Sequence, residues 1–211
     1  MAAPPRSLPP ARRRRRTTLL LVAAGSAVLL LLLALPALRD AVSSTAPAAG
    51  PGGAVGQGVT LIPVAERRAA PALSGTDLDG HALDLAGYRG SVVVINVWGS
   101  WCGPCRAEAD GLEQAFRATG GEGVRFLGLD TRDIDPAAPR TFVREHHIDY
   151  PSLHDPSGTM VLRFPPGTLN PQAIPATLLL DRAGRIAGRV LGPVTEEQLC
   201  SAVRSVTGEA S

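Results

Sequence analysis

The stretch Ser91-Val92-Val93-Val94-Ile95-Asn96-Val97-Trp98-Gly99-Ser100-Trp101-Cys102-Gly103-Pro104-Cys105-Arg106-Ala107-Glu108 determines how the rest of the chain is read. Within it, Val92 to Val97 is a run of β-branched residues interrupted only by Asn96. That continuity predicts a central strand buried on both faces, not an alternating half-exposed one. Two cysteines follow at once, and the sequence then turns helical through Arg106, Ala107, Glu108, Leu112 and Phe116. A strand that delivers a Cys-x-x-Cys pair to the start of a helix is a layout for redox chemistry. Thiol–disulfide exchange needs a thiolate that attacks a foreign sulfur and a second thiol near enough to resolve the mixed disulfide. The free N–H groups and the dipole of a helix start favour the anion on the first sulfur and lower its pKa. Cys102, at the edge, is expected to be the more exposed thiol and the nucleophile. Cys105, one turn in, is expected to be the buried resolving thiol.

The competing reading of the pair is half a zinc site. A closed site needs two further ligands, and only Cys200 and four scattered histidines remain. His146 and His147 are neighbours, so on a helix they point about 100° apart and cannot face one metal together. Covalent haem attachment would want a histidine directly after the second cysteine, where Arg106 stands. No metal and no cofactor is therefore expected. Three cysteines also cannot build a disulfide framework. Cys200 reads as a small, partly buried apolar residue.

Across the whole chain, all 21 basic residues are arginine, and seven of them fall within the first 40 positions. From Gln57 onward 14 Arg face 18 Asp and Glu, a net charge of −4 that leaves no basic face for nucleic acid. Residues 1–18 form a basic start ending in Arg12 to Arg16. Residues 19–38 carry no charge over 20 positions, the length that an α-helix needs to cross the hydrocarbon core. The arginine cluster predicts an N-terminus inside and the remainder outside the cytoplasm. A cleaved signal peptide is the alternative, with Ala46-Pro47-Ala48 as a candidate site. The apolar run exceeds the roughly 7–15 residues usual for such a signal, so an uncleaved anchor is preferred; either reading exports the remainder of the chain. Residues 39–69, rich in Ser, Ala, Pro and Gly, read as a flexible linker, and the folded domain is expected over 70–211.

Within that domain, Leu73 to Leu85 reads as a β-hairpin about Asp77-Leu78-Asp79-Gly80-His81. The helix after Cys105 is expected to run to Thr119 and close at Gly120-Gly121. Val124 to Leu129 reads as a strand, Pro136 to His147 as a helix, Tyr150 to Leu153 as a short strand and Thr159 to Phe164 as a short helix. After a Pro- and Gly-bearing loop over 165–174, Thr177 to Leu180 and Ile186 to Leu191 read as paired strands. Thr195 and Gln198 fit a capping box for a last helix with Leu199, Val203 and Val206 on one face.

The segment Val94 to Glu108, together with Thr76-Asp77-Leu78-Asp79-Gly80 and Ile174-Pro175-Ala176-Thr177-Leu178-Leu179-Leu180-Asp181, resembles the TlpA/ResA-like membrane-anchored thioredoxin-fold thiol–disulfide oxidoreductases. The resemblance covers roughly 70–206. It implies an α/β thioredoxin fold: a mixed central sheet with helices on both faces, an N-terminal β-hairpin and a central insertion, preceded by one transmembrane helix. It implies that Cys102 and Cys105 form a redox-active disulfide, and that Pro175 is a cis-proline lying against them and exposing backbone to a substrate chain. Ile174 would touch the disulfide, and Trp101 would form part of the contact surface, with Trp98 left to packing. Asn96 stands where cytosolic thioredoxins carry a buried Asp, and an amide cannot do acid–base work. Glu108 shares a helix face with Cys105 and matches an active-site Glu of the ResA-like branch, which implies that it manages protons for the pair. Its alternative is a solvated glutamate favoured by the helix dipole. The loop 165–174 is longer than usual before the cis-proline and either reshapes the substrate rim or serves as a rigid connector.

The resemblance further implies protein thiol or disulfide substrates and reduction of the haem-binding cysteine pair of apocytochrome c. The electrons would come from an integral-membrane thiol carrier of the CcdA/DsbD type. An oxidant or isomerase of secreted proteins, and a non-catalytic binding module built on the cis-proline groove, are the other functions considered. A peroxidase is a weaker candidate, since the Cys-x-x-Cys layout resembles oxidoreductases.

Overall fold

The computed structural model describes residues 58–121 and 123–209. The basic start, the expected membrane span over 19–38 and most of the expected linker lie outside the described residues. Among the described residues no helix is long and apolar enough to cross a membrane.

The Val-rich run forms strand β4 (Val92–Trp98), buried along its whole length. Preceding it are β1 (Val59–Leu61), β2 (Ser74–Thr76) and β3 (Ala82–Asp84). After it come helix α1 (Gly103–Thr119), β5 (Val124–Thr131), α2 (Ala137–Glu145), β6 (Ser152–Asp155), β7 (Ala176–Leu180), β8 (Ile186–Leu191) and α3 (Glu196–Thr207). One sheet has the order β1-β8-β7-β4-β5-β6, and β2 and β3 pair as a separate hairpin. β4 runs parallel to β5 and antiparallel to β7, so the sheet is mixed and β4 is interior to it. The hairpin turns at the expected segment, with the Asp77 carboxylate accepting from Asp79 N and His81 N. The capping box of α3 is present.

Three expectations are corrected. First, the α-helices are not on both faces of the sheet. The crossovers β4-α1-β5 and β5-α2-β6 step in the same direction, and right-handed connections then place both helices on one side. Leu112 of α1, Phe142 of α2 and Leu199 and Val203 of α3 share one core with Val92, Val94 and Trp98. The opposite face, with Val93, Ile95 and Val97, is covered by Leu73 and Leu85 beside the hairpin and by Val161 and Phe164. Second, only a 3-10 turn, Val161–Arg163, forms where a short helix was expected over 159–164. Third, the folded part begins before Ala70. β1 lies in the expected linker and pairs antiparallel with β8. Arg67 fastens the same region by donating to both Glu209 carboxylate oxygens at 2.6 Å and to Asp181 at 3.3 Å.

Candidate active site

The C-terminal end of β4 leads into a turn, Gly99–Cys102, closed by Cys102 N donating to Gly99 O at 3.0 Å. Cys102 is the N-cap of α1, and its Sγ accepts from Cys105 N at 3.1 Å. A sulfur thus occupies the place where a helix start has N–H groups to satisfy. Pro104 sits in the first turn, where its missing N–H costs nothing. Cys102 and Cys105 are joined as a disulfide with Cα atoms 5.3 Å apart. Cys102 is 4% and Cys105 1% exposed. The expected ranking holds only narrowly, because in the disulfide form neither sulfur-bearing residue is open to solvent. What covers Cys102 is the segment before β7: the Ile174–Pro175 bond is cis, and Ile174 O lies 3.8 Å from Cys102 Sγ. Pro175 O accepts from Gly192 N, tying this wall to the end of β8. Trp101 is the exposed member of the turn, at 52%.

Glu108 is 5% exposed, which removes the solvated alternative. Strand alternation explains its partner: Val92, Val94, Asn96 and Trp98 of β4 share the face that α1 covers. Asn96 Nδ2 donates to Glu108 Oε1 at 2.9 Å and to Thr177 Oγ1 at 3.2 Å, and Val194 N donates to Glu108 Oε2 at 2.9 Å. Burial pushes the Glu108 carboxyl up to about 7, against the opposing pull of the Val194 and Asn96 hydrogen bonds. Asn96, with Trp98, Cys105 and Tyr150, also lines a cavity of about 10 Å³. The amide of Asn96 cannot titrate, but it orients a group that can. Its shared parity with Trp98 on β4 is the sequence signal for that role.

Trp98 is buried against Phe142, ring centres 4.5 Å apart, and its Nε1 donates to Ser152 Oγ at 3.3 Å across Gly128. A side chain at position 128 would collide with Ser152 Oγ. Beyond Trp98, Asp130 is buried with Oδ2 2.8 Å from His154 Nδ1. Burial, reinforced by Asp133 and then Asp155, pushes Asp130 up to about 9. Cys200 is buried on α3, unpaired with either of the other cysteines, and burial raises its thiol. The loop 165–174 is fastened by Arg68 and Arg189, which donate to the backbone oxygens of Pro166 and Gly167; that supports the connector reading. Among the described residues no group of three or more His, Cys, Asp and Glu is arranged to hold a metal ion.

A helix-capping Cys-x-x-Cys disulfide, opposed by a cis-proline where two interior strands of a mixed sheet end, defines a thioredoxin-fold thiol–disulfide oxidoreductase. Residues 67–189 match the AhpC/TSA family, and the chain belongs to that family. It is similar to the thiol-disulfide oxidoreductase ResA of Bacillus cereus, 29% identical over 138 residues that cover 65% of this chain and 76% of that protein. Among solved structures it is similar to a secreted thiol-disulfide isomerase from Corynebacterium glutamicum, with TM-score 0.66, 29% identity, and coverage of 78% and 99%. A DsbF homologue from Corynebacterium diphtheriae matches with TM-score 0.65 and 29% identity, covering 72% and 96%.

Proposed function

We propose that this oxidoreductase works as a disulfide reductant outside the cytoplasm, held at the membrane by residues 19–38. Its proposed client is the haem-binding cysteine pair of apocytochrome c, and its proposed electron source is a membrane thiol carrier of the CcdA/DsbD type. In the forward direction the Cys102 thiolate attacks one client sulfur and expels the other as a thiolate. Cys105 then loses its proton, attacks Cys102 Sγ and releases the second client thiolate. The client gains two electrons and the protein is left with the 102–105 disulfide. Glu108, poised near neutral pH on the same helix face as Cys105, is the proposed acceptor for the Cys105 proton.

The observation that carries the reductant reading is how little, beyond the helix start itself, stabilises the Cys102 sulfur as an anion. Among the described residues it receives one hydrogen bond, from Cys105 N. It faces an acceptor oxygen, Ile174 O. Arg106, the basic residue next to the pair, spends its guanidinium on Glu145 and Ser100 O. Strong oxidants of this class owe their potential to a stabilised reduced form, and this site offers little of that. The similarity to a secreted isomerase favours a second reading, an oxidant or isomerase of secreted proteins. Equilibration with a glutathione redox buffer separates them. The reductant reading expects a potential near the thioredoxin value of about −270 mV, and a value near the DsbA end, about −120 mV, overturns it. For the anchor, N-terminal sequencing of the mature protein is expected to find the span retained; a start near Ala49 contradicts it.

A further inference from the structure

At the end of β5, residues Thr131 to Asp133 lie against the active-site turn. The register explains the encounter: Trp98 pairs with Asp130, so the residues after each strand emerge side by side. Asp133 is buried, shares a side-chain hydrogen bond with Asp130 and turns both carboxylate oxygens to Ser100. Its Oδ2 accepts from Ser100 N and its Oδ1 from Ser100 Oγ, each at 2.7 Å. The Gly99–Cys102 turn uses Cys102 N for its own closure, and Asp133 takes the Ser100 amide inside it. Trp101 Nε1 donates to Thr131 O at 3.3 Å, and the Arg132 guanidinium lies 4.6 Å from the Trp101 ring centre.

Two backbone features show that this approach is tight. A Cβ at Gly99 would come within 2.7 Å of Trp101 Nε1 and 3.1 Å of Thr131 O. Arg132 has φ 64°, a left-handed conformation that side-chain-bearing residues adopt uncommonly.

We propose that Asp133 is a positioning residue for the exchange reaction: by holding Ser100 it fixes the turn that presents Cys102 as the helix cap and Trp101 as the client-facing wall. Hydrogen bonds weaken steeply as they bend, so the hold of Cys105 N on Cys102 Sγ depends on where the turn places that sulfur. Small misplacements of a reacting group cost large factors in rate.

The test compares Asp133→Ala with Asp133→Asn. Both remove the carboxyl group, but the amide retains an acceptor for Ser100 N and a donor for Ser100 Oγ. The readouts are the Cys102 thiolate titration by ultraviolet absorbance, the rate with glutathione disulfide per folded molecule, and the fluorescence anisotropy of Trp101 with Trp98 replaced by Phe throughout. Relative to Asp133→Asn, Asp133→Ala is expected to titrate at higher pH, react about tenfold more slowly and show a more mobile Trp101. Ser100→Ala, which keeps the amide bond and loses the hydroxyl bond, is expected to shift the titration the same way by less; it serves if Asp133→Ala does not fold. Matching titrations and rates in the Ala and Asn variants, or no shift in Ser100→Ala, overturn the proposal. Glutathione disulfide is a generic oxidant, so neither result depends on the client or on the physiological direction of electron flow.

Discussion

On one face of the sheet Val93, Ile95 and Val97 of β4 join an apolar core with Leu127, Leu129, Leu178 and Leu180. On the other, the same strand begins as Val92 and Val94 and ends as Asn96 and Trp98, meeting Glu108, Cys105 and, one strand over, Asp130. A buried polar group costs free energy unless it is hydrogen-bonded, and Asn96 and Glu108 satisfy each other at that cost. The strand therefore divides its labour by parity. Its odd-numbered side supplies stability through simple burial, while its even-numbered side carries an expensive buried carboxyl, the proposed acceptor for the Cys105 proton.

This division is tested hardest at the sulfur. Cys102→Ser is expected to lower the rate of disulfide exchange by about 10³-fold or more, measured with a client disulfide. Full complementation of a knockout by this variant would return the protein to a non-catalytic binding module. Next in size is Ile95→Ala on the apolar face. It should cost about 2–5 kcal/mol in urea unfolding and leave the Cys102 titration of the folded protein where it was. A moved titration would mean that the two faces are not independent.

Glu108→Gln probes the polar side through stability. The carboxyl is raised in the folded state from its ordinary 4.5 to about 7, so the native state binds the proton more tightly than the unfolded chain. The stabilisation is present below about 4.5 and is lost as pH rises through about 7. The oxidised wild type should therefore lose more stability over that window than the Gln variant, by about 3 kcal/mol. Equal slopes in urea unfolding across the window would contradict the assignment. The smallest effect is expected from Asn96→Ala, which deletes a hydrogen bond that holds the Glu108 pKa down. The Glu108 titration should move further up, with about 1 kcal/mol of stability lost. A downward shift would show that Asn96 does not stabilise the charged carboxylate.

Strand β4, the Cys pair, the hairpin turn and the α3 capping box are legible in the sequence because each rests on neighbours within a few residues. The cis-proline comes through resemblance, since no local property of Ile174-Pro175 distinguishes a cis bond. Long-range features are not legible. The burial of Glu108 depends on Val194 N, 86 residues away, and the hold on Ser100 depends on the pairing of Trp98 with Asp130. β1 is three residues in a stretch with the composition of a linker, and its partner β8 is what makes it a strand. The single helical face results from the direction of two consecutive crossovers, which the order of elements alone does not determine.

Everything assigned to the even-numbered side rests on Glu108 being a neutral-range proton carrier coupled to the disulfide. ¹³C NMR of the Glu108 side-chain carboxyl across pH, in the oxidised and the reduced protein, tests this without intermediaries. The expected midpoint is near 7 in the oxidised form, moving upward on reduction to the extent that the freed thiols ionise and add like charge nearby. A midpoint at an ordinary glutamate value, or one indifferent to the redox state of Cys102 and Cys105, would contradict it.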